Sequence, residues 1–133
     1  MADVAIDTHV AIWYFLEPQN LSVAATAVID AAEATGAIYV SAVTIIELIY
    51  LVEKGRISKG VLDFLRDALD DPTTAFRLVE INRAIADAVE TIPRSIVPDM
   101  PDRIIAATAL HLNLPLVTRD PQIKNFGGLQ TIW

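Results

Sequence analysis

Four acids, Asp7, Glu47, Asp102 and Asp120, raise the question of chemistry in this chain of 133 residues. Glu47 is the most demanding, because it sits inside the apolar run "SAVTIIELIYLVEKG" at 41–55. An unpaired buried charge costs several kcal/mol or is forced to take up a proton. Carboxylates gathered within a few ångströms of one another repel, and some would protonate unless a counter-charge were present. A divalent cation removes that conflict. The chain has no cysteine, so zinc–thiolate sites and thiol nucleophiles are excluded, and all-oxygen ligation favours Mg²⁺ or Mn²⁺. Such ions support phosphodiester hydrolysis by activating water and neutralising charge at phosphorus, two ions about 3.5–4 Å apart being able to do both.

For these acids to meet, the elements between them must return to one edge. "VAI" before "DTH" reads as a short buried strand, and Val10 to Leu16 as a helix that ends by Pro18. Ser22 reads as an N-cap and Gly36 as the stop of a second helix over 22–35. "AIYVS" is the second strand, followed by the helix bearing Glu47 and closed by "KG" at 54 and 55. Ser58 caps another helix, with Val61, Leu62, Leu65, Ala68 and Leu69 on its inner face. "AFRLVEI" at 75–81 is the third strand, Asn82 caps a helix to about Thr91, and Pro93 and Pro98 mark a loop. "MPDRIIAATALHL" is a helix with Pro101 in its first turn, "LPLVT" the fourth strand and "LQTIW" a short last one. Strands alternating with helices imply an α/β fold: a mostly parallel sheet of four to five strands with helices on both faces, in one domain over 1–133.

In such a sheet the strand C-termini and the helix N-termini that follow them share the edge where a ligand crevice forms. Asp7 follows the first strand, Asp120 the fourth, Glu47 lies in the helix after the second, and Asp102 opens the last long helix. Each also has a structural reading. Asp7 and Asp120 suit N-caps, and Asp99 and Asp102 suit a cap and a first-turn acid. For Glu47 the alternative is a solvated helix face, yet its neighbours three and four positions away are Val43, Thr44, Tyr50 and Leu51.

Composition narrows the setting. No apolar run reaches the roughly 18–20 residues of a membrane span. The opening "MADVAIDTHV" lacks a basic segment, so a secretory signal is not expected and the cytoplasm is. Net charge is −7, which is poor for phosphate affinity. The last third, however, holds Arg94, Arg103, Arg119 and Lys124 against Asp99, Asp102 and Asp120. If a metal is held by those acids, that end becomes locally positive.

Taken together, "IDTHVAIWYFLEPQNLS", "VSAVTIIEL", "PDMPDRIIAATAL" and "LPLVTRDPQI" resemble, in order, the four acidic blocks of the PIN-domain ribonucleases, in particular the VapC-like toxins of toxin–antitoxin modules. The resemblance spans nearly the whole chain. It implies that Asp7, Glu47, Asp102 and Asp120 bind Mg²⁺ or Mn²⁺ and cut RNA, that the protein is a homodimer, and that an antitoxin protein blocks the site. The third block departs from many relatives in placing Pro101 rather than an aromatic before Asp102.

Within that frame Thr8, Ser41 and Thr118, near strand ends, are expected to orient carboxylates or metal waters, with capping as the alternative for Ser41. Asp99 is a fifth acid or a cap, and Arg103 and Arg119 are candidates to hold the RNA backbone. His9 and His111 are poor ligand candidates: His9 begins a core-like helix and His111 suits the C-terminal dipole of its own. Two rivals stand beside the nuclease. Aspartyl-phosphate chemistry fits poorly, since position 9 is His rather than a second Asp and Thr118–Arg119 stand where a receiver would carry Lys. An inactive PIN-fold binding module is the other, and the complete acidic set argues against it.

Overall fold

The computed structural model describes residues 2–133. Five strands form one sheet in the order β3-β2-β1-β4-β5, every neighbouring pair parallel. They are β1 (Val4–Ile6), β2 (Ile38–Ser41), β3 (Phe76–Val79), β4 (Leu116–Val117) and β5 (Thr131–Ile132). The helices are α1 (Thr8–Leu16), α2 (Val23–Thr35), α3 (Ala42–Glu53), α4 (Lys59–Asp70), α5 (Arg83–Ala88), α6 (Met100–Leu112) and α7 (Pro121–Phe126). β1 is central, with Val4 opposite Ile38 on one side and Ala5 opposite Leu116 on the other. Strand order reverses at β1, so the crevice expected of an open parallel sheet falls beyond its C-terminal end.

The sheet is buried on both faces, as an all-parallel sheet requires. Val4, Ile6, Ile38, Val40, Phe76 and Val117 pack on one face with Val10, Ile29, Leu48, Val61 and Leu65. Ala5 and Leu116 turn to the other, against Val43, Ile85, Ile105, Ala109 and Ile123. The period-2 alternation of β1 and β2 thus feeds two cores, one under α1, α2 and α4 and one under α5, α6 and α7.

Several boundaries move for identifiable reasons. α1 starts at Thr8 rather than Val10, because Asp7 is its N-cap and accepts the Val10 N–H at 2.9 Å. α7, absent from the sequence-based element order, follows the Asp120–Pro121 cap signal. β4 keeps only two residues of "LPLVT", flanked by backbone bonds from Leu116 and Thr118 to the carbonyls of Gln130 and Ile132. Gly36 ends α2 with φ −143°, so its role is not a left-handed cap. A Cβ there would lie 2.7 Å from the backbone of Ala2, and this close approach is what requires glycine.

Candidate metal centre

Asp7 leaves the end of β1 directly beside β4, and its position is fixed from both sides. Its Oδ1 accepts the Val10 N–H, and the Thr118 hydroxyl donates to Oδ2. Thr118 lies just past β4 and is fully buried, and its Oγ1 also accepts the Asp120 N–H at 3.1 Å. Asp120 caps α7, Oδ1 accepting the Gln122 N–H at 2.8 Å. One buried threonine therefore ties two acids of adjacent strand ends into a common geometry.

Glu47 comes from the first half of α3. The Thr8 hydroxyl donates to its Oε1 at 2.5 Å. Since Thr8 has spent its single hydroxyl proton there, the Thr44 hydroxyl, 3.1 Å from Thr8 Oγ1, is the donor of that second bond. The chain Thr44 to Thr8 to Glu47 fixes one carboxylate oxygen and leaves the other unclaimed. Asp102, in the first turn of α6, completes the set. Asp7, Glu47, Asp102 and Asp120 all line one cavity of about 230 Å³, whose rim also carries His9, Trp13 and Arg119.

The electrostatics are those of crowded acids. Burial pushes Asp7 above the usual carboxylate range, opposed by the bonds from Thr118 and Val10 and by the charge of His9, while Asp120 adds repulsion. Glu47 is raised by burial first and by Asp99 and Asp7, against the Thr8 bond and His9. Asp102 is pushed up to about 8 by burial, by contact with the Asp120 carboxyl, and by the charges of Asp99, Asp120 and Glu47. Desolvation and like charge favour protons on these groups, and a bound cation would favour the ionised forms. Among the described residues no three acids or imidazoles are set as a ready-made coordination shell. The acids that line the cavity are oxygen donors, a chemistry that suits a hard cation such as Mg²⁺ or Mn²⁺.

The other expected residues divide. Thr8 and Thr118 contact the acids as described. Ser41 caps α3, its Oγ accepting the Val43 N–H at 3.2 Å, and it is not part of the cavity lining. Asp99 is the exposed N-cap of α6, accepting the Asp102 N–H at 3.2 Å, and reaches Glu47 and Asp102 through its charge. Arg103 calls for a correction. Its Nε and Nη2 donate to the carbonyls of Ile92 and Val89, each at 3.1 Å, so it ties α6 to the preceding segment, and it is not part of the cavity lining. Arg119 does line the cavity, with its guanidinium 4.7 Å from the centroid of the Trp13 ring.

Two residues outside the expected set stand beside the acids. Thr44 is one helical turn before Glu47, and the three-residue spacing that puts it on the same face was the available signal. His9 begins a core-like helix, yet it is exposed at the cavity and its charge favours ionised Asp7 and Glu47.

Comparison with known proteins settles the family. The family model of the PIN domain matches residues 4–129. The chain belongs to the PIN-domain family. It is 35% identical over 127 residues to Ribonuclease VapC22 of Mycobacterium tuberculosis, covering 94% of this chain and 92% of that protein. Among solved structures, VapBC2 of Rickettsia felis bound to a DNA fragment from its promoter superimposes with a TM-score of 0.73 at 15% identity, covering 97% and 96% of the two chains. VapBC-5 of M. tuberculosis, of the VapBC family of toxin–antitoxin systems, gives 0.65 at 16% identity over 98% of each chain. At such identities these structures speak for the PIN fold alone, which is the sheet and helix arrangement found here.

Proposed function

We propose that this PIN-domain protein is an Mg²⁺- or Mn²⁺-dependent endoribonuclease and the toxin of a toxin–antitoxin pair. The observation that carries the reading is the convergence of Asp7, Glu47, Asp102 and Asp120, from four distant segments, on a single cavity at the C-terminal edge of the sheet. The similarity to a protein named as a ribonuclease supplies the substrate class.

The geometry supports the following roles. Asp7, Glu47, Asp102 and Asp120 would hold the cation, some directly and some through water. Bound there, a divalent ion supplies the positive charge that activates water and stabilises the phosphorane-like transition state. Thr118 and the Val10 N–H hold Asp7 in one rotamer, and Thr44 and Thr8 do the same for Glu47, so the carboxylates need little rearrangement. Arg119, in the cavity lining, is the cation available to the incoming RNA. No side chain is needed as a nucleophile, and by analogy with the PIN-domain ribonucleases the attacking water displaces the 3′-oxygen, leaving a 5′-phosphate and a 3′-hydroxyl.

The toxin assignment rests on the similarity to VapC22 and on the fold shared with the VapBC structures. An antitoxin that covers the cavity and a homodimeric state belong to the same reading. Ile46 and Tyr50, one turn apart on α3 and both more than half exposed, offer apolar surface for such contacts. Among the described residues no helix is long and apolar enough to cross a membrane. End-group analysis of the products tests the chemistry. Ligatable 5′-phosphates are expected, and 2′,3′-cyclic phosphates would contradict it by showing attack from the ribose hydroxyl.

A further inference from the structure

One wall of the acid cavity is aromatic, and the phosphodiester chemistry makes no use of it. His9 and Trp13, one turn apart on α1, have ring centroids 5.8 Å apart with planes tilted by 48°. Trp133 supports Trp13 at 5.6 Å, and Arg119 lies over the Trp13 ring. Trp13 stays partly exposed although its flank packs against the core, while His9 and Arg119 are exposed. His9, Trp13 and Arg119 all line the same cavity as the four acids. Solvent therefore meets an imidazole and a guanidinium plane, backed by Trp13, immediately beside the place where phosphate would be cut.

Resting on the ribonuclease reading, we propose that His9, Trp13 and Arg119 form a stacking platform that takes an unpaired nucleobase of RNA next to the scissile phosphate. A chain with net charge −7 and four acids in its cavity gains little from the phosphate backbone. Stacking supplies affinity that needs no positive charge, since every base has a π-face, and Arg planes stack on bases as aromatic rings do. The exposed planes are the His9 imidazole and the Arg119 guanidinium, and Trp13, adjoining the first and lying beneath the second, backs both within one cavity. A base held in a duplex cannot reach this wall, so the platform selects single-stranded or looped RNA.

The test is cleavage kinetics of the full-length protein with Mg²⁺ on a short single-stranded RNA, on its duplex, and on a set of RNAs lacking one base at a time. Trp13→Leu, which keeps an apolar group against the core, is expected to raise KM about tenfold with a much smaller change in kcat. In the wild type, one abasic position beside the cleaved bond should do the same, and it should add nothing further in Trp13→Leu. A flat abasic scan in a wild type that cleaves overturns the platform and leaves the nuclease reading standing, whether or not the variant folds. An unchanged KM in folded Trp13→Leu does likewise. A wild type that cleaves no RNA with Mg²⁺ or Mn²⁺ overturns both.

Discussion

The Thr8 hydroxyl donates to Oε1 of Glu47 at 2.5 Å, joining the first turn of α1 to α3 across 39 residues of sequence. Glu47 is thereby held at the cavity, half-buried, with burial and the charges of Asp99 and Asp7 pushing its carboxyl upward. Glu47→Gln retains an oxygen for Thr8 and removes the repulsion. Cleavage should fall by at least about 100-fold, a loss on the scale of removing one transition-state electrostatic group. Thermal unfolding in chelator should show a melting temperature equal to or above that of the wild type. A clearly destabilised variant would give Glu47 a structural role instead.

Thr118 makes a second dependence visible. Its fully buried hydroxyl donates to Asp7 and accepts from the Asp120 N–H. Thr118→Val keeps the shape and leaves Asp7 without its strongest offset to burial, at a cost of about 1–3 kcal/mol. Urea unfolding should register that loss at neutral pH, with Thr118→Ser recovering much of it. Equal stability of the valine variant would mean that the bond carries no weight.

Stability without metal should fall as pH rises. Asp102, ordinarily near 3.8, is raised to about 8 in the folded protein. Below about 4 both folded and unfolded chains hold its proton, so the group contributes nothing. Between about 4 and 8 the folded chain holds more protons, and stability drops with pH until the folded carboxyl also ionises near 8. Asp7 and Glu47, raised in the same direction, add to the slope. Mg²⁺ or Mn²⁺ should therefore raise the melting temperature more at pH 8 than at pH 5 and release protons on binding at pH 7. An equal metal effect at both values would separate these acids from the cation.

Arg103 yields the opposite kind of prediction. Because Nε and Nη2 tie the guanidinium to the carbonyls of Ile92 and Val89, away from the cavity lining, Arg103→Ala should lower stability by about 1–2 kcal/mol and leave the salt dependence of RNA binding unchanged. A reduced salt slope would return it to the RNA interface.

Much of this architecture was legible in the chain because the signals were local. Short apolar runs mark β1 and β2, Asn82 and Ser22 mark helix starts through caps the structure forms, and the Asp–Pro pair signals the start of α7. The convergence of the acids was legible from topology, since parallel strands deliver their C-termini to one edge. What sequence could not supply was direction. Nothing at position 103 distinguishes a guanidinium turned to backbone carbonyls from one turned to solvent. Position 9 is similar: His9 lies in a core-like helix whose other face carries it to the cavity. Asp7 shows that the alternatives were not exclusive, as one carboxylate both caps α1 and lines the site.

The central claim is that Asp7, Glu47, Asp102 and Asp120 act together through a shared divalent cation to hydrolyse RNA. The most direct measurement is cleavage of a structured RNA with Mg²⁺, Mn²⁺ or chelator, with Asp7→Asn and Asp120→Asn run beside the wild type. The expected result is cleavage by the wild type with either metal, none with chelator, and a loss of at least about 100-fold in each variant. Equal cleavage in chelator, or undiminished cleavage in both variants, would contradict the account.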